Sequence, residues 1–143
     1  MHLLDVNFLI ALHDSFHQDH ELAQEWFKSK SKLGWATCPI TELGFIRITS
    51  HRNYPRPVAS PSVALESLEA TKKGSAKYLF WSDDLPLRNA VAPKQIIGAS
   101  ALTDLYLLSL AVKRRGKLVT FDRKINFKNV PKALAGDILV VSA

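Results

Sequence analysis

Four carboxylates stand in apolar surroundings in this chain of 143 residues. Asp5 follows two leucines in HLLDVN, Glu42 lies in ITELGFI, Asp104 lies in ALTDLYLL, and Asp122 ends the run LVTFD. A carboxylate loses free energy of hydration on burial unless a cation or a hydrogen-bond donor accompanies it. The repeated pattern indicates that the four acids share a partner.

A divalent cation is the partner that such acids predict. Carboxylates a few ångströms apart repel one another and favour their neutral forms unless positive charge lies among them. Oxygen ligands without His or Cys are typical of Mg²⁺ or Mn²⁺ sites rather than of zinc sites. Such an ion lowers the pKa of a bound water and stabilises charge on a phosphate under attack.

The charge balance favours an anionic partner. The net charge is +6, for which nucleic acid is the first candidate and an acidic protein the second. Residues 113–132 hold a cluster of cations with Asp122 as their only acid: Lys113, Arg114, Arg115, Lys117, Arg123, Lys124, Lys128 and Lys132. A solvated surface that aids solubility is the alternative. Around an acidic metal site, such cations would hold a polyanion while metal and carboxylates cut it.

Short apolar runs alternate with helical patterns along the chain. The runs HLLD, WATC, KYLFW, LVTF and ILVV are predicted strands. The segments VNFLIALHD, QDHELAQEWFKSKS, TELGFIRIT, Pro61 to about Thr71, and LTDLYLLSLAVKRRG are predicted helices. This alternation predicts a parallel sheet covered on both faces. We therefore expect one domain over residues 1–143, a three-layer α/β/α sandwich with a central, mostly parallel sheet.

The predicted sheet would bring the four acids to one edge. Functional groups of such sheets gather beyond the carboxyl ends of the strands. Asp5 and Asp122 each close a predicted strand, whereas Glu42 and Asp104 fall in the predicted first turns of helices near the same edge. Each acid also has a simpler explanation, as a helix-start residue (Asp104 with Thr103 as cap) or as the first residue of the turn DRKI. A shared site explains all four.

At this point the motifs resemble those of the PIN-domain family, and in particular VapC-type toxins of bacterial toxin–antitoxin pairs. The resemblance rests on LLDVNFLIAL, TELGFIRI, LTDLYLLSLA and LVTFDRKI and spans Leu3 to about Val141. It implies a Mg²⁺- or Mn²⁺-dependent ribonuclease in which the catalytic, metal-binding acids are Asp5, Glu42, Asp104 and Asp122. Asn7 and Thr120 match positions that support the site in that family.

The resemblance also implies partners. A metal-dependent endoribonuclease toxin of a type II (VapBC) pair is expected to cut structured RNA, either tRNA or rRNA. It is expected to form a homodimer and, with a cognate VapB-type antitoxin, a higher assembly. Arg47 and Arg123 are candidate RNA contacts, with an ordinary surface arginine as the alternative for Arg47.

The same residues bear on two other classes of function, a binding domain and a phosphatase. A non-catalytic PIN-like binding or scaffold domain would use the acids only to hold a partner, but the presence of all four speaks against it. A Mg²⁺-dependent phosphatase of another doubly wound family would need Asp-x-Asp after the first strand. The chain has Asp5-Val6-Asn7 instead, which disfavours that class.

The remaining clusters and the composition favour ordinary roles and a cytoplasmic protein. HDSFHQDH is predicted to be a loop rather than a zinc site, WSDDLP a polar loop, and the tryptophans core residues.

Hydrophobic residues make up 47% of the chain without an apolar run of membrane-spanning length. The first residues lack a cationic leader, and Cys38 is the only cysteine. We expect no membrane association and a reducing compartment.

Overall fold

Five short parallel strands form the sheet of the computed structural model, which describes residues 1–56, 59–92, 94 and 98–143. The strands are β1 (His2–Leu4), β2 (Trp35–Thr37), β3 (Tyr78–Phe80), β4 (Lys117–Thr120) and β5 (Ile138–Val140). Their order is β3-β2-β1-β4-β5, and every neighbouring pair is parallel. The predicted parallel sheet is therefore confirmed, with β1 at its centre.

Helices cover both faces of this sheet. They are α1 (Val6–His13), α2 (His20–Lys30), α3 (Pro39–Thr49), α4 (Pro61–Lys73), α5 (Leu87–Ala90) and α6 (Ala99–Lys113). Successive strand residues point to opposite faces. Leu3 and Leu118 accordingly pack in the core cluster of α6, whereas Leu4 and Val119 pack in the cluster of α1 and α2. This arrangement is the predicted three-layer α/β/α sandwich.

The helix starts differ from the sequence prediction at α6. This helix begins at Ala99, after Gly98, and so starts before the predicted segment LTDLYLL. Residues 99–101 are Ala, Ser and Ala, small side chains that a helix accommodates readily, and they extend it toward the amino end. Asp104 consequently lies in the second turn rather than the first, and Thr103 lies inside the helix rather than capping it.

Several smaller predictions can be checked against the core and the loops. Trp26, Trp35 and Trp81 are buried, as predicted. The loop WSDDLP is exposed at Asp84, which pairs with Lys113 at 3.0 Å. The sequence predicts a polar, proline-rich loop over residues 51–61 and an irregular, partly helical stretch over 82–100, and α5 lies in the second. Residues 57–58, 93 and 95–97 of these segments lie outside the described residues. Within the described ranges, no helix has the length and hydrophobicity needed to cross a bilayer.

Candidate active site

Asp5 and Asp122 meet at the carboxyl edge of the sheet because β1 and β4 are neighbours in register. Leu3 pairs with Leu118 and Leu4 with Val119, so the residues that follow the two strands emerge side by side. The backbone N–H of Asp5 donates to the carbonyl of Val119 at 2.9 Å and ties the two strand ends together. Asp5 is 4% exposed.

Both carboxylate oxygens of Asp5 accept short hydrogen bonds. Oδ1 accepts from the backbone N–H of Val6 at 2.7 Å and thereby caps α1, and Oδ2 accepts from Thr120 Oγ1 at 2.7 Å. Burial raises the pKa of Asp5 above its usual value; the bonds from Thr120 and Val6 oppose that shift, and the charge of Asp122 adds to it. Asp5 is therefore both a helix cap and a rigidly held acid at the sheet edge.

The hydroxyl of Thr120 connects Asp5 to its surroundings. While it donates to Asp5, it accepts from Asn7 Nδ2 at 3.0 Å and from the backbone N–H of Asp122 at 3.0 Å. Asn7 Oδ1 in turn accepts from the backbone N–H of Phe121 at 3.2 Å, which fixes the orientation of its amide. The hydrogen-bonding capacity of this hydroxyl is thus fully used, and its proton points to Asp5.

Asp104 reaches the same edge from the second turn of α6. Burial, followed by the charges of Asp5 and Asp122, raises the pKa of Asp104 from its ordinary value of 3.8 to about 6. Across the described ranges, the ion pairs of the chain involve other acids, and none neutralises Asp5, Asp104 or Asp122. These aspartates therefore form a group of mutually repelling carboxylates.

Glu42 has a different set of contacts from the three aspartates, and the expected convergence of four acids stays a prediction. Its Oε1 accepts from Thr37 Oγ1 at 2.5 Å and from the Tyr78 hydroxyl at 3.3 Å. It also pairs with Lys72 Nζ at 2.5 Å, and Lys72 pairs further with Glu69 at 2.6 Å. Glu42 thus ties α3 to α4, to β3 and to the carboxyl end of β2.

Helical phase explains the position of Glu42. The face of α3 toward Asp5 carries Ile40, Leu43, Gly44 and Arg47, which follow the i, i+3, i+4, i+7 spacing of one helical side. Each residue advances about 100° around a helix, so Glu42 is turned about 200° away from Gly44. The residue nearest to α1 on this face is Gly44, since a Cβ there would lie 2.7 Å from Val6 Cγ2.

Two clefts meet at Asp104. The first, here called the α3 cleft, has a volume of about 490 Å³ and is lined chiefly by Asp5, Leu43, Arg47, Ile48 and Asp104. The second, here called the asparagine cleft, has a volume of about 480 Å³ and is lined chiefly by Asp104, Asp122, Lys124, Asn126 and Asn129. The asparagines were missed from sequence, although the alternation of Asn126 and Asn129 with apolar residues after the strand end was a readable signal.

The basic stretch divides between the two edges of the sheet. Lys113 and Arg114 pair with Asp84, and Lys117 opens β4 at its amino end. Arg123 and Lys124 follow the carboxyl end of the same strand and are exposed beside Asp122. Arg123 and Lys124 are therefore at the edge that carries the aspartates, whereas Lys113, Arg114 and Lys117 are at the opposite edge.

The chain matches the model of a known protein family. Residues 2–133 match the model of the PIN domain. This chain belongs to the PIN-domain family. Two curated relatives from Mycobacterium tuberculosis are named ribonucleases. Ribonuclease VapC39 is 42% identical over 127 residues, covering 84% of this chain and 87% of that protein. Ribonuclease VapC44 is 39% identical over 133 residues, covering 92% of each.

Solved structures of PIN-domain toxins share the fold. VapBC2 from Rickettsia felis, solved bound to a DNA fragment from its promoter, superposes with a TM-score of 0.66 at 13% identity and covers 99% of this chain and 98% of that one. Mycobacterium tuberculosis VapC20, described as a Sarcin-Ricin loop cleaving toxin, gives 0.61 at 12% identity, covering 82% and 85%. The predicted PIN-domain, VapC-type resemblance is confirmed.

The donor set of this PIN-domain site fits a hard divalent cation. The three aspartates offer oxygen ligands and lack a neutralising cation among the described residues. In the ranges that the structure describes, no three His, Cys, Asp or Glu side chains are grouped to hold one ion directly. Mg²⁺ commonly uses only one or two carboxylates and keeps several waters, so the arrangement remains compatible with it. The described side chains of HDSFHQDH likewise form no such group. Its His13 bonds to the Leu9 carbonyl and to Thr71.

Proposed function

We propose that this PIN-domain protein is a metal-dependent endoribonuclease, the toxin of a type II VapBC toxin–antitoxin pair. The observation that carries the proposal is the group of Asp5, Asp104 and Asp122, which share one edge of the sheet without a cation from the described protein. Relatives that are 39% and 42% identical over most of the chain are named ribonucleases, which supports the same reaction here.

Asp5, Asp104 and Asp122 would hold Mg²⁺ or Mn²⁺, directly or through water. When bound, such an ion supplies a water of lowered pKa and neutralises charge on the phosphate under attack. Glu42 was the fourth acid expected from sequence. Its pairing with Lys72 supports a role in holding α3 in place, and we leave it out of the proposed ligand set.

Hydrogen bonds within the chain orient the carboxylate of Asp5, and burial favours the protonated form of Asp104. The bonds of Asp5 to Val6 and Thr120 fix its carboxylate before any ligand arrives, so that little ordering remains for binding. Asn7 supports Asp5 through Thr120. Burial and the charges of Asp5 and Asp122 raise the pKa of Asp104 to about 6. Its deprotonation would prepare the site for a cation.

The proposed substrate is structured RNA, either tRNA or rRNA, and Arg47 and Arg123 are its proposed phosphate contacts. Arg47 lines the α3 cleft together with Asp5 and Asp104, and Arg123 adjoins Asp122. We also propose a cytoplasmic homodimer that assembles with a VapB-type antitoxin. The likeness to a VapBC complex supports the antitoxin, and an antitoxin Arg or Lys would neutralise the aspartates.

RNA cleavage by the purified, antitoxin-free protein tests this function. Total bacterial RNA would be incubated with Mg²⁺ or Mn²⁺, with chelator, and with Asp5→Asn. Asp83→Asn is the matched control, because Asp83 is exposed in the loop after β3 and lines neither cleft. Discrete fragments that require metal and vanish only in Asp5→Asn are expected. Cleavage that survives chelation or Asp5→Asn would contradict the proposal, and a folded protein that cuts no RNA would favour a binding domain.

A further inference from the structure

The two clefts that meet at Asp104 differ in chemistry. The α3 cleft is largely aliphatic outside its acids, with Leu43 69% and Ile48 40% exposed and Arg47 as its cation. The asparagine cleft carries two side-chain amides and a lysine in addition to its acids. A nucleic-acid strand that crosses Asp104 would therefore meet a different surface on each side of the cut.

The amides of the asparagine cleft are held by a segment anchored in the core. Val130 is buried, and Ile125 and Phe127 pack against the same core cluster, so apolar side chains point inward between the two asparagines. Asn126 and Asn129 line the cleft, and the backbone N–H of Asn129 donates to the Asn126 carbonyl at 3.1 Å. This anchoring makes the edge of the cleft a fixed surface rather than a loose loop.

Hydrogen bonding within the segment that holds Asn126 and Asn129 leaves N–H donors for a ligand in the asparagine cleft. Asn126 Oδ1 accepts from the backbone N–H of Lys128 at 3.0 Å, which leaves its amide N–H groups to face a ligand. Lys124 offers donors alone. Asp104 and Asp122 supply the acceptors of this cleft, and in the proposed function both are engaged by the cation. A ligand next to them consequently meets the N–H donors of Asn126 and Lys124, beside the Asn129 amide, which offers donors and an acceptor.

We propose that the asparagine cleft is the base-reading subsite of the nuclease. It receives the nucleobase beside the scissile phosphate and selects bases with a carbonyl oxygen at purine C6 or pyrimidine C4, guanine and uracil, over adenine and cytosine, which carry an amino group there. This inference rests on the proposed function, since it concerns the same reaction. A cleft of about 480 Å³ accommodates a nucleobase, and RNA sequence is commonly read from splayed-out single-stranded bases by such edge contacts.

The α3 cleft takes the nucleotide on the other side without reading it. Exposed aliphatic side chains such as Leu43 and Ile48 contact any base alike, and the Arg47 guanidinium contacts phosphate, which is the same in every nucleotide. The expected sequence preference is therefore one-sided. It lies at one fixed position next to the cut, with little preference at the position on the opposite side.

The test is sequencing of fragment ends from a pool of stem–loop RNAs with randomised loop sequences, cut with Mn²⁺ by wild type and variants. The wild-type protein should favour guanine and uracil at one position next to the cut. Asn126→Ala and Asn129→Ala should reduce this preference by about 5-fold or more, the low end of what one amide–base contact contributes. Asn89→Ala, on the exposed face of α5, is the matched control and should keep the preference.

Two further variants separate reading of the base from general damage. Asn126→Asp keeps the acceptor for the Lys128 N–H and replaces the amide donors with an acceptor, so the preference should shift toward adenine and cytosine. Arg47→Ala should slow cleavage at all sequences to a similar degree. Folding of each variant would be checked by circular dichroism.

Two results would overturn the subsite. If the wild-type protein cuts while Asn126→Ala, Asn129→Ala and Asn126→Asp all keep its preference, the asparagine cleft does not read the base and the nuclease proposal stands. A uniform slowing by these variants at every sequence leads to the same conclusion. If the wild-type protein cuts neither this pool nor total bacterial RNA, the nuclease proposal fails and the subsite fails with it.

Discussion

Thr120 donates its hydroxyl proton to Asp5 at 2.7 Å, across the junction between the last residue of β4 and the residue that follows β1. Two residues far apart in the chain thereby form one hydrogen-bonded unit. Thr120 acts on the site through Asp5, and its hydroxyl also receives the N–H groups of Asn7 and Asp122.

Replacing Thr120 by Val should therefore damage both stability and pH dependence. The change leaves buried hydrogen-bonding groups unpaired, each worth about 1–3 kcal/mol of unfolding free energy. Because the Thr120 bond lowers the pKa of Asp5, its loss should move the acidic limb of the cleavage–pH profile to higher pH. Denaturant unfolding and a pH–rate series measure the two effects. Thr120→Ser keeps the hydroxyl and should keep the wild-type profile, whereas an unchanged profile in Thr120→Val would count against this role.

Asp104 should make the metal-free protein more stable in mild acid. Its folded-state pKa of about 6 exceeds the ordinary 3.8, so the folded protein binds more protons than the unfolded chain between these values. The stabilisation is complete below the lower value and is lost as the pH rises through about 6. Thermal unfolding with chelator from pH 4 to pH 7.5 should show this slope. Asp104→Asn should flatten it, and an equal slope in that variant would contradict the assignment.

Protons should also compete with the metal at Asp104. A cation requires the deprotonated carboxylate, so the apparent affinity for Mn²⁺ should fall below pH 6 by up to about tenfold per pH unit. Calorimetric titration at pH 5 and pH 7.5 measures the change. Asp137→Asn, in the short turn before β5, is the control and should retain the wild-type pH dependence. Binding that is independent of pH would show that the ion lies elsewhere.

The Glu42–Lys72 pair should prove structural. Burial alone would lower the pKa of Lys72, but its bonds to Glu42 and Glu69 outweigh that effect and raise it. Glu42→Gln should destabilise the fold by about 1–3 kcal/mol, since a largely buried ammonium loses one of its partners. Removing that cation as well, in Glu42→Gln/Lys72→Met, should restore part of the loss while cleavage stays within about tenfold of wild type.

The double variant also tests whether Glu42 belongs to a four-acid metal site. Asp104→Asn in the same assay provides the reference for loss of a ligand. If Glu42→Gln/Lys72→Met is as stable as wild type yet as inactive as Asp104→Asn, the expected four-acid site is right and the carboxylate must leave Lys72 to act.

Gly44→Ala should loosen the contact between α3 and α1. The new Cβ would meet Val6 Cγ2 at 2.7 Å, and a β-branched side chain in a helix has little freedom to turn away. A loss of about 1–3 kcal/mol in unfolding free energy is expected, with a fall in cleavage because Val6 adjoins Asp5. Adding Val6→Ala should recover both the unfolding free energy and the cleavage rate. Gly136→Ala, where nothing lies within 4 Å, is the control and should have no effect.

The sheet and two of the aspartates could be predicted because their signals are local. Asp5 and Asp122 each end an uninterrupted apolar run, and parallel strands place such ends at one edge. Asp104 was placed at the right edge although α6 starts earlier than predicted, because the helix that leads into β4 starts near that edge.

Glu42 shows where sequence is insufficient. The segment TELGFIRIT is apolar on several sides: Phe45 is buried in the core, whereas Leu43 and Ile48 are exposed. The side of α3 that meets Asp5 is set by close packing of Gly44 against Val6, a tertiary contact that leaves no periodic signal. The four-acid expectation came from strand ends and first helical turns, which place a residue near an edge of the sheet but do not encode helical phase.

The pairing of β1 with β4 also bears on how the protein is made. Asp5 is synthesised 115 residues before Thr120, so its carboxylate has no partner on β4 until that strand has been made. In the proposed function, the site of a nascent chain would stay incomplete over that interval, which leaves time for an antitoxin to be present when the two strands pair.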